Sequence, residues 1–257
     1  MTLVMGILNV TPDSFSDGGQ FLDPAKAIAR GIEMMEEGAT IIDVGGESTK
    51  PGVERVSMDE ELSRVIPVIH ALAKAGAKVS VDTMRAETAG MAVAAGASII
   101  NDVSGGLSDP AMHATAAALK VQYICMHWRG QSKDMDALAV YDDVTTEVIA
   151  ELTKQVASAL LAGIEPTRLV IDPGLGFAKN AEQNWEILRN IDKFKELGFP
   201  ILVGGSRKRF LGGSDPLERE SASIALTTWL ATKDIWGVRT HTVKPHVDAI
   251  RTVGQIA

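Results

Sequence analysis

The chain has 257 residues, 46% of them hydrophobic and 23% charged, with a formal net charge of −8. This is the composition of a globule with a large core, and its acidic balance argues against nucleic acid or an anionic membrane surface as the main partner. Cys125 is the single cysteine, so no intrachain disulfide framework exists.

No stretch approaches the ~18 unbroken apolar residues of a membrane span. Strand-forming residues begin at Leu3, which leaves no room for a signal peptide and makes the cytoplasm the expected location. The apolar run of residues 3–8 reads as the first strand and ends at Asn9. The turn-rich VTPDSFSDGGQF that follows is a loop, and Phe15 within it is either a lid residue or an aromatic tucked against the body. Asp23-Pro24 starts a helix, with an acid to cap and a proline in the first turn. Residues 40–44 form a second strand containing Asp43, and GGESTKPG is a second long polar loop. Ser57 to Glu60 has capping-box spacing and opens a helix that ends near Gly76.

Strand three is Lys78–Asp82, followed by an alanine-rich helix to Gly96, and strand four is Ser98–Asp102. Asp109-Pro110 repeats the helix-start signal, and Val121–His127 is strand five. Val144, Val148, Leu152, Val156 and Leu160 recur at four-residue steps, an apolar helical stripe for packing on a sheet. Leu169–Asp172 is strand six, and residues 181–194 are helical. Strand seven is Pro200–Gly204, Asp215-Pro216 starts another helix, Ile235–Arg239 is strand eight, and a closing helix follows Lys244. Eight short apolar strands alternate with helices without a linker, and no glycine-rich dinucleotide turn follows strand one. The expected fold is a single (β/α)8 barrel over residues 1–257, close to the ~250 residues usual for that architecture.

Polar residues recur where these strands end: Asn9, Asp43, Asp82, Asn101 and Asp172. Parallel strands gather their carboxyl ends at one mouth, where α/β proteins keep their chemistry. Each acid alone has a bland reading: Asp82 could cap the next helix, and Asp43 could hold a loop amide. Together they would repel without a ligand or cation. Asp82, Asn101 and Asp172 offer acceptors plus an amide that both donates and accepts, which suits an uncharged heterocycle bearing N–H donors. Ser206-Arg207-Lys208-Arg209 after strand seven, with Arg239 and His241 at strand eight, suits an anion. His70, His113 and His246 fall in helices and read as surface or packing residues, while His127 lies near the mouth without an assigned partner.

The motifs MGILNVTPDSFSDGG, DVGGESTKPG, SVDT, INDVSGG, MHWRG, DPGLGFAK and GGSRKRFLGG, in this order, closely resemble the dihydropteroate synthase family of the folate pathway. The resemblance covers essentially the whole chain. It implies condensation of 6-hydroxymethyl-7,8-dihydropterin diphosphate with 4-aminobenzoate, releasing pyrophosphate and giving 7,8-dihydropteroate. By matched position it places Asp82, Asn101 and Asp172 on the pterin with Lys208 reaching the same ring, so that Lys208, Asp172 and Asp82 sit at the reacting centre. It places Arg239 and His241 on the phosphates, and Asn9 beside a Mg²⁺ ion on the diphosphate. Thr49, Pro51, Ser206, Phe177 and Phe15 complete the implied substrate-binding set. The family mechanism ionises the C–O bond before the arylamine attacks, and no obvious strong general base is visible in the sequence. A homodimer is the expected assembly, with small-molecule substrates and neither nucleic acid nor membrane as partners.

Three positions depart from the family pattern. Lys50 stands where arginine is usual, Thr242 where an acid follows the histidine, and Trp128 where a smaller apolar residue is common. Two other readings remain: a pterin-dependent methyltransferase on the same barrel, and a pterin binder without catalysis. The long first two loops and the Ser206–Lys208 run favour the synthase over the first. The diphosphate-end residues Asn9, Lys208, Arg239 and His241 favour it over the second.

Overall fold

A computed structural model describes residues 1–11, 23–47, 55–131 and 135–256. Eight strands run β1 Leu3–Asn9, β2 Ile41–Gly45, β3 Val79–Asp82, β4 Ile99–Asp102, β5 Gln122–Met126, β6 Leu169–Asp172, β7 Leu202–Val203 and β8 Gly237–Thr240. Between them lie α1 Pro24–Glu36, α2 Met58–Lys74, α3 Ala86–Ala94, α4 Met112–Leu119, α5 Val144–Leu161, α6 Ala181–Arg189, α7 Ile191–Lys195 and α8 Glu220–Ala231, and α9 Lys244–Ile256 closes the chain. The strands pair in the order β6-β5-β4-β3-β2-β1-β8-β7, all in parallel. The ends of that series meet where Ile171 bridges Ile201, with the Ile171 N–H donating to Pro200 O at 2.9 Å. This is the expected (β/α)8 barrel.

Side chains alternate across each strand, so every second residue faces the barrel axis. Met5, Ile41, Ile99, Ile124, Val170 and Leu202 meet there in an apolar plug. Residues of opposite parity, among them Val44, Val81, Tyr123 and Ile171, pack outward in the larger cluster shared with the helices. Each fully buried large aliphatic contributes about 1.5–3 kcal/mol, so the plug rigidifies the floor on which the polar mouth stands.

The local signals act as read, with adjustments. Asp23 caps α1 through Ala25 N–H at 2.9 Å, and Ser57 caps α2 through Glu60 N–H at 3.2 Å. Asp109 serves two helices, accepting from Ala111 N–H at 2.9 Å and, across the chain, from Ala86 N–H at 2.8 Å. The helix expected over residues 181–194 breaks at Asn190, whose side chain donates to Glu186 O at 3.0 Å and competes with the backbone ladder. After Asp215-Pro216 the chain first makes a 3₁₀ turn, Leu217–Arg219, with Asp215 accepting from Leu217 N–H at 2.7 Å, before α8 begins. Strand eight starts at Gly237 rather than Ile235, because Gly237 is the first residue in register with both Leu3 and Leu202. Cys125 is fully buried on the helix-facing side of β5, as a small hydrophobe.

Candidate functional site

Period two places Asp43, Ser80, Asp82, Asn101, Met126 and Asp172 on the inner face with the apolar plug below them. Registers Asp43↔Ser80, Asp82↔Asn101 and Met126↔Asp172 set their levels. Asp43 is not a strand-end residue: it lies in the middle of β2, is fully buried, and accepts from Asn101 Nδ2 at 3.0 Å. Asp82 caps no helix, since that task at α3 falls to Asp109. Instead, Arg239 reaches across from β8, with Nε on Asp43 Oδ2 and Nη2 on Asp82 Oδ2, both at 2.6 Å. The resemblance puts Arg239 on phosphate; in the structure two of its nitrogens are committed to acids, leaving Nη1. Asp102, next to Asn101, points the other way, where it holds Ser104 N–H, Gly106 N–H and the Tyr123 hydroxyl.

Burial sets the electrostatics of the mouth. It lifts Asp82 to about 7; Arg239 opposes the rise, and the charges of Asp43, Glu61 and Asp102 add to it. Asp172 rises to about 6, again from burial, checked by the Gly174 N–H bond at 2.7 Å and by Lys208, Arg239 and Lys179. Lys208 falls to about 8 through burial and the Arg239 charge, while Asp172 and Asp82 hold it up. Its Nζ sits 4.2 Å from the centroid of the Phe177 ring. Gly176 makes room for this, because a Cβ there would meet Lys208 Cδ at 2.9 Å. Two acids that ionise near neutrality beside a readily deprotonated lysine can exchange charge with a polar heterocycle at little cost.

The anion end gathers as the basic run implied. Ser206 Oγ accepts from the His241 backbone N–H at 3.2 Å and lies 3.0 Å from His241 Nδ1. Burial and the Arg239, Arg207 and Lys208 charges depress His241 to about 3, so the ring is neutral. Nδ1 of the neutral ring and the Ser206 hydroxyl share one hydrogen bond, whose direction is set by the ring tautomer. The acid missing at Thr242 has a counterpart on α8: Glu220 accepts from Thr242 Oγ1, from Arg207 Nε at 2.8 Å and from His246 Nε2 at 3.2 Å. Glu220 thus ties the loops after β7 and β8 together.

Several contributors carry no signal in single-sequence reading. Met84, Val103, Met126 and Met135 cluster with Phe177, and Trp128 packs against them, forming an apolar wall beside the acids. Isolated methionines and valines at strand ends and in loops look like any other apolar residue; only the barrel mouth assembles them. His127 is fully buried behind β5 rather than open to the mouth, with Glu151 Oε2 at 2.8 Å and Lys179 Nζ at 2.9 Å as partners. His246 and His113 are buried packing residues and His70 is exposed, in line with their sequence reading. Asn9 lies at the inner face of β1, half-buried, and its side chain makes no hydrogen bond to a described residue. Phe15, Thr49, Lys50 and Pro51 lie outside the described residues. The residues bounding the second of these segments are fixed, with Arg55 Nε on Glu47 Oε1 at 2.8 Å and Arg85 Nη1 on Glu47 Oε2 at 2.8 Å.

A parallel barrel whose mouth sets buried acids, an amide and a lysine against an apolar wall is a heterocycle-binding barrel. Residues 5–241 match the family described as pterin binding enzyme, and the chain belongs to that family. It is 48% identical over 261 residues to a dihydropteroate synthase of Mycobacterium leprae, covering 98% of this chain and 92% of that one. Among solved structures, the Xanthomonas albilineans dihydropteroate synthase with 4-aminobenzoic acid superposes with a TM-score of 0.93 at 42% identity, covering 99% of this chain and 93% of that one. The Anaplasma phagocytophilum dihydropteroate synthase with bound 6-hydroxymethylpterin-monophosphate gives 0.91 at 36% identity, covering 100% and 99%. With relatives this similar along nearly its whole length, the chain is a transferase.

Proposed function

We propose that this chain condenses 6-hydroxymethyl-7,8-dihydropterin diphosphate with 4-aminobenzoate, giving 7,8-dihydropteroate and pyrophosphate. The observation that carries the reading is the inner-face set Asp82, Asn101, Asp172 and Lys208, standing against the Phe177 and methionine wall. Ring N–H and amino donors of the pterin face the Asp172 and Asp82 carboxylates, Asn101 supplies both senses of hydrogen bond, and the apolar wall covers the ring face. Lys208 lies between the pterin and the aminobenzoate. The His241 ring and Arg239 Nη1 remain for the departing diphosphate, and Ser206, Thr49 and Pro51 border the aminobenzoate, with Phe15 in the first loop.

The chemistry follows from charge placement. Loss of diphosphate leaves a carbocation conjugated with the pterin, and the ionised carboxylates beside it stabilise positive charge as it develops. The arylamine then attacks, and no strong base is required for an amine that loses its proton after C–N bond formation. Mg²⁺ bound with the diphosphate would neutralise leaving-group charge. Asn9 fits this role: it offers one neutral oxygen at a strand end, and Mg²⁺ usually takes one or two protein oxygens with phosphate and water filling the rest. Among the described residues no three His, Cys, Asp or Glu side chains form a ready metal cage. A cytoplasmic homodimer belongs to the same proposal; no helix among the described residues is long and apolar enough to cross a membrane. The test is pyrophosphate release from the two substrates with Mg²⁺, with mass detection of dihydropteroate. Release that does not depend on 4-aminobenzoate would overturn the assignment, and so would its complete absence.

A further inference from the structure

We propose that Lys179 is a positioning residue for the reaction, setting the β6 loop so that Asp172 and Phe177 face the pterin. The inference rests on the reading of Asp172 as a pterin acceptor, and its geometry is independent of any ligand. Lys179 is buried, and its ammonium donates to Gly174 O at 3.0 Å, Phe177 O at 3.1 Å and His127 Nδ1 at 2.9 Å. Burial lowers Lys179 to about 7, and none of its three partners is a carboxylate. A buried ammonium without such a partner costs stability, so the contribution to look for is the shape of the loop.

One carbonyl belongs to the site residue Phe177, and the other to Gly174, which is hydrogen-bonded to the site residue Asp172. The Gly174 N–H is the donor that orients Asp172 Oδ1, at 2.7 Å. Gly174 has φ +69°, and a Cβ there would stand 2.4 Å from His127 O, so the turn is jammed against the end of β5. Phe177 bears the ring beneath Lys208. Between them Ala178 holds φ +46°, a left-handed conformation that costs a non-glycine residue about 1–2 kcal/mol and needs its neighbours to enforce it. Lys179 is that neighbour, and Asn184 assists by accepting from Gly176 N–H at 2.7 Å.

The ammonium is itself anchored. The Glu151 carboxylate on α5 can only accept, so His127 Nε2–H donates to it and Nδ1 of the neutral ring accepts from Lys179. Burial and the Lys179 charge depress His127 to about 4, consistent with a neutral ring. Arg129 grips Glu151 through Nη2 at 2.6 Å and Nε at 3.0 Å, and donates to Val140 O at 2.6 Å. The loop after β6 is thereby referenced to the loop after β5 and to α5.

Lys179→Met keeps the side-chain volume and removes the donors. The expected result is at least a tenfold rise in KM for the pterin diphosphate with a lower kcat, while KM for 4-aminobenzoate stays within about twofold. In an Asp172→Asn background the same change should cost less than threefold, since Lys179 acts through Asp172. A purely structural lysine would lower the melting temperature and leave both KM values of the folded enzyme alone, and that outcome overturns the proposal. Equal losses in the two backgrounds also overturn it. If Lys179→Met does not fold, His127→Phe withdraws one acceptor and leaves both carbonyl contacts; a pterin KM raised two- to fivefold supports the proposal, and an unchanged one refutes it. Asp172→Asn measured alone separates the two readings: unaltered pterin affinity there removes the Asp172 role, whereas a weakened affinity with an inert Lys179→Met removes only the positioning role.

Discussion

Arg239→Met is the substitution that most sharply tests the electrostatics of the barrel mouth. The Arg239 side chain is 18% exposed, and its two acidic partners, Asp43 and Asp82, are 0% and 9% exposed. At an effective dielectric of about 20, each contact near 4 Å carries about 4 kcal/mol of gross attraction, much of which offsets the cost of burying three charges. Removing only the cation leaves that cost in place. Asp82 already sits at about 7 with Arg239 present, and Asp43 Oδ1 has no partner among the described residues. Breaking a buried pair in this way costs about 3–5 kcal/mol. For a chain of this size each kcal/mol moves Tm by about 2–4 °C, so a drop of about 6–20 °C is expected at pH 8. The sign with pH is also fixed. Asp82 has a folded-state pKa raised above its unfolded one, more so without Arg239, so its charge destabilises the fold above that value and is relieved as it protonates. The Tm gap to the unsubstituted protein should therefore narrow between pH 8 and pH 5.5. Differential scanning fluorimetry over that range is the assay. A phosphate-gripping arginine without structural duty would give a Tm change under about 1 °C at every pH and only a raised substrate KM, and that result would refute the reasoning.

Lys208→Ala should lower turnover at least a hundredfold, about 2.7 kcal/mol of barrier, with Tm nearly unchanged because the lysine adds little to the core; steady-state kinetics beside a melt checks both. Asp172 at about 6 must be ionised to accept from ring donors, so pterin affinity should fall about tenfold per pH unit below about 6; calorimetry would show this slope, and Asp172→Asn should flatten it while weakening binding at pH 8 by about 1.5–3 kcal/mol. Glu220→Ala should raise KM for the pterin diphosphate more than for 4-aminobenzoate, because it frees Arg207 and Thr242 beside the anion end; equal shifts for both substrates would count against that coupling. 4-Aminobenzoate should bind weakly until pyrophosphate is present, an expectation from the glycine and proline content of residues 10–21 and 45–57, since fixing such sequences around an anion costs entropy that its binding must first offset; tight binding to the bare protein would contradict the ordered scheme.

What the sequence determined by itself is the part governed by short range. Eight apolar runs alternating with helical stripes define a barrel, and Asp23 and Ser57 mark helix starts because capping acts over two or three residues. The placement of Asp82, Asn101 and Asp172 at one mouth was legible too, because strand ends and parallel order follow from the same pattern. The family likeness supplied the substrates, which no periodicity encodes. Partner choice belonged to the tertiary structure. Arg239 lies 196 residues from Asp43 in sequence, and only closure of β8 against β1 brings its guanidinium beside that carboxylate. Strand seven shrank to Leu202–Val203, and Gly237 opened strand eight, because register with neighbours, not local propensity, decides where a ladder begins. The methionine wall, the Glu220 link and the Lys179 anchor were invisible for the same reason: each joins residues from different strands, loops and helices, and their chemistry arises from burial and proximity that exist only once the barrel has closed.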